Sequence, residues 1–243
     1  YMGHNLHIYE NAESTSRAVA ELIKEMAQTK TTTGEKLNIA VSGGSTPKQL
    51  FTLLANEYEK LIPWQVVRFF WVDERCVEPT HPESNFGLTY DTLLQRTFIK
   101  AENVFRMKGE DQPDDEAKRY QDVLWKELPA KSGFPVFDLV LLGMGEDGHT
   151  ASIFPNDMSL LTSDFSVGVG IHPLTGQKRI TLTGKTINNA AKVVFLLTGD
   201  SKAEILKQII NNEPLAQSYP ASHVHSQSGI VDFYIDNTAA KLL

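Results

Sequence analysis

The stretch FDLVLLGMGEDGHTASIFP, residues 137–155, carries the strongest chemical signal in the chain. Its first half, FDLVLLG, is a continuous apolar run that reads as a buried strand. It empties into a loop holding Gly145, Glu146, Asp147, Gly148 and His149. Ligands of open α/β sheets bind just past the carboxyl ends of the strands. A histidine delivered there is placed for proton transfer near neutral pH, and glycines beside it let the backbone approach a small molecule. Gly143 to Gly148 also fits G-x-G-x-x-G, the dinucleotide pattern. That pattern needs a long helix opening at the loop of the first strand. Here the match is mid-chain, and Pro155 would interrupt a helix within about two turns. No NAD or FAD site is expected.

A second candidate is NIAVSGGSTPKQLF, residues 38–51, where a strand ends in Ser42-Gly43-Gly44-Ser45-Thr46 and a helix opens near Pro47. The amides and dipole of a helix N-terminus attract anions. Gly43 and Gly44 leave room for a phosphate, and Ser45 and Thr46 add hydroxyl donors. The G-x-x-x-x-G-K-[ST] spacing of a Walker loop is missing. The alternative is a tight strand-to-helix turn with Ser45 or Thr46 as the cap. A third candidate is VDERCVEPTHPESN, residues 72–85. Arg75 could grip a phosphate bidentately and Asp73 could accept sugar hydroxyls, although a local ion pair at a strand end would look the same. Arg179, at the start of RITLTG, and Lys202, after TGD, could complete a phosphate cage with the Gly-rich turn.

Other chemistry is less well supported. Cys76 has no histidine forced near it by sequence and reads as a small buried hydrophobe. His81 sits in a polar loop and reads as solvated. His172, His223 and His225 lack metal-ligand spacing, so no metal is expected. No G-x-S-x-G elbow is present. A hydrolase on this chain would therefore use water activated by a base.

The elements that must hold these loops alternate. Strands are expected at LHIY (6–9), LNIAVS (37–42), VVRFFWV (66–72), FDLVLLG (137–143), RITLTG (179–184), VVFLLTG (193–199) and IVDFYID (230–236). Helices are expected around Val19, Leu22, Ile23 and Met26, whose spacing is helical, and at 47–56, 84–98 with Ser84 or Asn85 as cap, 115–128, 201–210 and the terminal TAAKLL. TKTTTGEK (29–36) and GEDQPDD (109–115) read as polar turns. Continuous apolar strands separated by helices predict an α/β fold, doubly wound, with a mostly parallel sheet covered on both faces. Residues 1–243 read as a single domain.

The composition is that of an ordinary globular protein, with 41% hydrophobic and 22% charged residues. A net charge of −7 argues against a nucleic-acid surface, so an anionic ligand must be met by a few local cations. The single cysteine fits a reducing, cytoplasmic setting. The first residues lack a signal-peptide layout, and no apolar run approaches the roughly 18 residues of a membrane span.

Taken in order, SGGSTP, WVDERCV, the SN of PESN, GMGEDGHTASIFP, RITLT, TGDSK and PAS resemble the 6-phosphogluconolactonase family from about residue 36 onward. The resemblance implies a Rossmann-like fold that uses no metal and no nucleotide cofactor. It implies hydrolysis of 6-phospho-D-glucono-1,5-lactone to 6-phosphogluconate, in the oxidative pentose phosphate pathway. By that resemblance His149 is the general base and Asp147 orients it. Gly43, Gly44, Ser45, Thr46 and Asn85 line the substrate site, and Asp73 meets ring hydroxyls. Arg75, Arg179 and Lys202 supply charge to the phosphate. The implied ligand is a small sugar-phosphate lactone, with no nucleic acid or membrane. Monomer and small homo-oligomer both stay open.

Two other readings compete. Glucosamine-6-phosphate deaminases share the fold and the D-G-H loop, but carry a glutamate five residues after the histidine, where this chain has Phe154. They also have Asp-Glu-Tyr where this chain has Asp73-Glu74-Arg75. A sugar-phosphate sensor would place a helix-turn-helix ahead of the sheet and would not need His149.

Overall fold

Apolar runs too short for helices, separated by amphipathic segments, build two larger sheets and one two-stranded hairpin in a computed structural model that describes residues 3–243. In chain order the strands are β1 (Gly3–Tyr9), β2 (Leu37–Val41), β3 (Val67–Trp71), β4 (Asp73–Arg75), β5 (Val104–Phe105), β6 (Ala130–Lys131), β7 (Phe134–Pro135), β8 (Leu139–Leu142), β9 (Val167–Ile171), β10 (Lys178–Leu182), β11 (Lys192–Leu197) and β12 (Ile230–Asp236). The helices are α1 (Ala12–Thr33), α2 (Ser45–Glu57), α3 (Asn85–Thr92), α4 (Pro113–Glu127), α5 (Gly184–Asn188) and α6 (Ala203–Ile210).

Seven strands form one parallel sheet in the order β1-β12-β11-β8-β2-β3-β5. Every residue of β2 and β8 is buried, as strands covered on both faces must be. Chain order runs β2, β3, β5 in one direction from the β2–β8 pair and β8, β11, β12 in the other. The β2–β8 pair is therefore the topological switch point, where the loops leaving the two strands diverge and open a crevice. The general rule of right-handed crossovers puts α1, α2 and α3 together on one face of this sheet. The packing of α2 against both α1 and α3 agrees with this.

The helices begin and end where local chemistry says they should. Asn11 and Ser14 form a capping box at the start of α1, and Gly34 closes it in the left-handed conformation at φ +74°. The segment 29–33, expected as a turn, is the last part of α1, whose threonines bond back to its own carbonyls. Ser84 rather than Asn85 caps α3; its hydroxyl accepts from the Gly87 N–H. The helix expected over 84–98 breaks at Leu93 into a short 3₁₀ turn, Leu94–Arg96. TAAKLL forms turns rather than a helix.

The main departure from expectation is RITLTG. That strand, β10, does not join the parallel sheet. It lies between β4 and β9 in a separate three-stranded antiparallel sheet. Val72 is the bridge between the two sheets. Its N–H donates to the Val41 carbonyl at the end of β2, and its carbonyl accepts from the Leu182 N–H of β10. The small sheet is thus hung on the carboxyl edge of the large one, beside the switch point.

Candidate functional site

The crevice at the switch point holds an open cleft of about 380 Å³. The β2–α2 turn, β4, the start of α3, the loop after β8, β10 and the turn after β11 all contribute to its walls. Of the residues expected in the site, Gly43, Gly44, Ser45, Thr46, Asp73, Arg75, Asn85, His149, Arg179 and Lys202 line it. Asp147 stands behind His149 rather than on the wall.

The loop after β8 is shaped around that pair. His149 Nδ1 lies 2.6 Å from Asp147 Oδ1, and the same oxygen accepts the His149 N–H at 3.0 Å. Burial raises the Asp147 pKa, but the His149 N–H and ring outweigh it and hold the carboxyl below its ordinary value. Asp147 is therefore a carboxylate, Nδ1 carries the proton donated to it, and Nε2 is left as the acceptor. Gly145 makes the pair possible, because a Cβ there would collide with the His149 ring and the Asp147 carboxylate. No helix opens at this loop, which disposes of the dinucleotide pattern. Beneath it the buried ring of Phe154 packs against His149, with centroids 4.8 Å apart, and lies 5.5 Å below the Arg179 guanidinium.

On the opposite wall, α2 opens at Gly44 with φ +112° and no side-chain cap. That angle favours glycine. The first amides of α2 have no partner within the helix and face the cleft as donors. Gly43 has a different reason from the one its sequence suggests: the space a Cβ would need is filled by the Asn85 amide. Asn85 is held in turn by Asp73, whose Oδ1 and carbonyl accept from its Nδ2.

Arg75 and Arg179 face each other in register across β4 and β10. Like charges directly opposite are unfavourable. Among the described residues, neither arginine nor Lys202 has a carboxylate within 4.0 Å, so the local ion pair considered for Arg75 does not form. Arg75 makes one bond to the Glu83 carbonyl, and its buried Nε has no partner. Arg179 bonds only the Gln177 side chain. Burial, then the charge of Arg75, pushes the Arg179 pKa down; burial does the same to Lys202, which donates to the Met144 carbonyl. Three cations are thus gathered with no carboxylate in direct contact, although Asp73 and Glu83 act on Arg179, and Glu146 and Asp147 on Lys202, from further away.

Several residues matter that carried no clear sequence signal. Glu74 is buried and accepts from the amides of Arg75, Asn85 and Phe86 and from the Ser84 hydroxyl. It thereby anchors α3 and places Asn85. Burial raises its pKa more than those four donors lower it. Thr198 lines the cleft and meets Thr46 hydroxyl to hydroxyl at 3.2 Å. Thr150 ties the loop after β8 to the Gly143 carbonyl. Burial, then Glu74, pushes the Cys76 thiol up to about 11, so it stays a thiol and is no nucleophile. His81, His223 and His225 lie outside the cleft, and among the described residues no cluster of three or more His, Cys, Asp or Glu could hold a metal.

The model of the family described as glucosamine-6-phosphate isomerases/6-phosphogluconolactonase matches residues 10–233. The chain belongs to this family. It is similar to the 6-phosphogluconolactonase of Treponema pallidum, with 42% identity over 206 residues, 85% of this chain and 84% of the relative. The 6-phosphogluconolactonase of Haemophilus influenzae is 41% identical over 208 residues, covering 85% and 88%. Among solved structures, the 6-phosphogluconolactonase of Trypanosoma brucei superposes with a TM-score of 0.86 at 30% identity, covering 100% of both chains. A monomeric glucosamine-6-phosphate deaminase, at 22% identity and TM-score 0.78, shares the fold.

If the Asp147–His149 bond depends on the missing side chain of residue 145, Gly145→Ala removes it. In proton NMR at low temperature the wild type should show an exchange-protected Nδ1–H from His149. The variant should lose that resonance with little change in melting temperature. Its persistence would contradict the steric argument.

Proposed function

We propose that this chain hydrolyses 6-phospho-D-glucono-1,5-lactone to 6-phosphogluconate, with His149 activating the attacking water. The observation that carries this reading is the pairing, across one cleft, of a carboxylate-oriented histidine with three cations that have no carboxylate in direct contact among the described residues. A sugar-phosphate lactone has a group for each: a dianionic phosphate at one end and an activated ester at the other. The family of the chain and the names of its relatives support the same substrate.

The phosphate is received by Arg75, Arg179 and Lys202. It relieves the repulsion between the two arginines. Sugar hydroxyls meet Asn85, Asp73 and the hydroxyls of Ser45 and Thr46. Water bound at His149 Nε2 attacks C1 of the lactone. As the new C–O bond forms, its proton passes to Nε2, and Asp147 stabilises the imidazolium through Nδ1–H. The carbonyl electrons move to oxygen, where loop and α2 amides are available as donors. Collapse of this intermediate breaks the bond from C1 to the ring oxygen. The imidazolium returns its proton to that oxygen, giving the free hydroxyl and the acid. No redox partner or metal is required for the balance.

The deaminase reading is less well supported because Phe154 occupies the place of its second acid–base group. The ring contributes packing under His149 and no proton. A sensor would have no use for the Asp147–His149 pair. No helix among the described residues is long and apolar enough to cross a membrane.

His149→Ala should lower kcat by roughly 10²–10⁴-fold in acid release from freshly generated lactone, with the fold retained; a near wild-type rate removes His149 from the mechanism. Arg179→Ala or Lys202→Ala should raise KM for the phosphorylated lactone by about ten- to a hundredfold, the loss of one charge-assisted contact. The same variants should change little on unphosphorylated gluconolactone. Equal losses on both substrates would refute a phosphate role.

A further inference from the structure

Asp73, Arg75, Arg179 and Thr181 form a square on one face of the small antiparallel sheet. Arg75 pairs with Arg179 and Asp73 with Thr181 in the strand register. Residues two apart on a strand point to the same side. The arginines hold one edge of the square. The opposite edge is held by Ser152, a fully buried residue three positions after His149. Its hydroxyl donates to Asp73 Oδ2 at 2.7 Å and its N–H donates to Thr181 Oγ1 at 3.1 Å. Its carbonyl packs against Gly170 on β9, where a Cβ would strike it. One residue of the loop that carries the base is therefore bonded to two strands of the small sheet and packed against the third. Two of those strands carry the arginines.

We infer that Ser152 is a positioning residue that sets the distance between the phosphate-binding arginines and His149. The inference rests on the proposed lactone hydrolysis. The binding energy of a non-reacting phosphate raises kcat only if it is converted into correct placement of the reacting carbonyl. That conversion needs a rigid link between the anchor and the base. Along the strands, the Ser152 contacts lie about 7 Å from the arginine pair, two residues of strand rise. Beyond Ser152, the loop to His149 is held by Thr150 on Gly143 and by the His149 ring on Phe154. Asp73 thereby acts as a hub: Oδ2 fixes the loop through Ser152, and Oδ1 fixes Asn85.

The test is Ser152→Ala, with Ser152→Cys as a second variant of nearly the native volume whose thiol is a weak donor. Both are assayed on the phosphorylated and unphosphorylated lactones, with inorganic phosphate as a competing anion. On the phosphorylated lactone kcat should fall by about ten- to a hundredfold. KM and inhibition by inorganic phosphate should stay near wild type. The rate advantage of the phosphorylated over the unphosphorylated substrate should shrink accordingly. Proportional losses on both lactones would reduce Ser152 to a structural role and overturn the inference, as would an advantage that survives in whichever variants fold. A wild type with no preference for the phosphorylated lactone would defeat the hydrolase reading itself, and the inference with it.

Discussion

Two guanidinium groups held face to face with no carboxylate in direct contact are the constraint around which this molecule is arranged. In register on β4 and β10, Arg75 and Arg179 repel one another, and burial depresses the pKa of Arg179 further. A protein with a net charge of −7 has carboxylates to spare, yet none reaches them among the described residues. The cost is tolerated because the small sheet that presents them is fixed elsewhere. Val72 bonds it to both β2 and β10, Glu74 ties it to α3, and Ser152 ties it to the catalytic loop. Rigidity supplied at a distance lets the cations stay unsatisfied until an anion arrives. Such unrelieved charge is a common mark of a binding site.

The two ends of the site follow different electrostatic logic. At the base, a low-pKa carboxylate bonds the imidazole and selects its tautomer. At the anchor, no carboxylate touches the cations among the described residues, which leaves that role to the phosphate of the proposed substrate. The large parallel sheet serves the first end, because β8 delivers its loop directly into the crevice at the switch point. The small antiparallel sheet serves the second. The division gives the second sheet a purpose: the strand ends of the first leave a cleft and supply Lys202 after β11, but both arginines come from the small sheet.

Much of this was legible in the sequence, for physical reasons that can be named. A strand buried on both faces must be apolar throughout, so LNIAV and LVLL announced themselves, as did the glycine-rich turns that follow them. A histidine in such a loop, and Gly44 at a helix start, point to chemistry without a structure. What was not legible depends on contacts far apart in the chain. RITLT alternates polar and apolar residues, unlike the continuous apolar runs of β8 and β11, but nothing local says that it pairs with Asp73-Glu74-Arg75. Three polar residues give no strand signal at all. Gly43 looked like space for a ligand, but the space belongs to Asn85. Glu74 and Ser152 are short polar residues whose meaning lies in what they touch. The terminal TAAKLL had helical composition but forms turns.

The most direct test of the account is a crystal structure with the product, 6-phosphogluconate, bound in the cleft. The account predicts the phosphate between Arg75, Arg179 and Lys202, and a carboxylate oxygen about 3 Å from His149 Nε2. A phosphate seated on the first amides of α2, with the carboxylate turned away from His149, would contradict it.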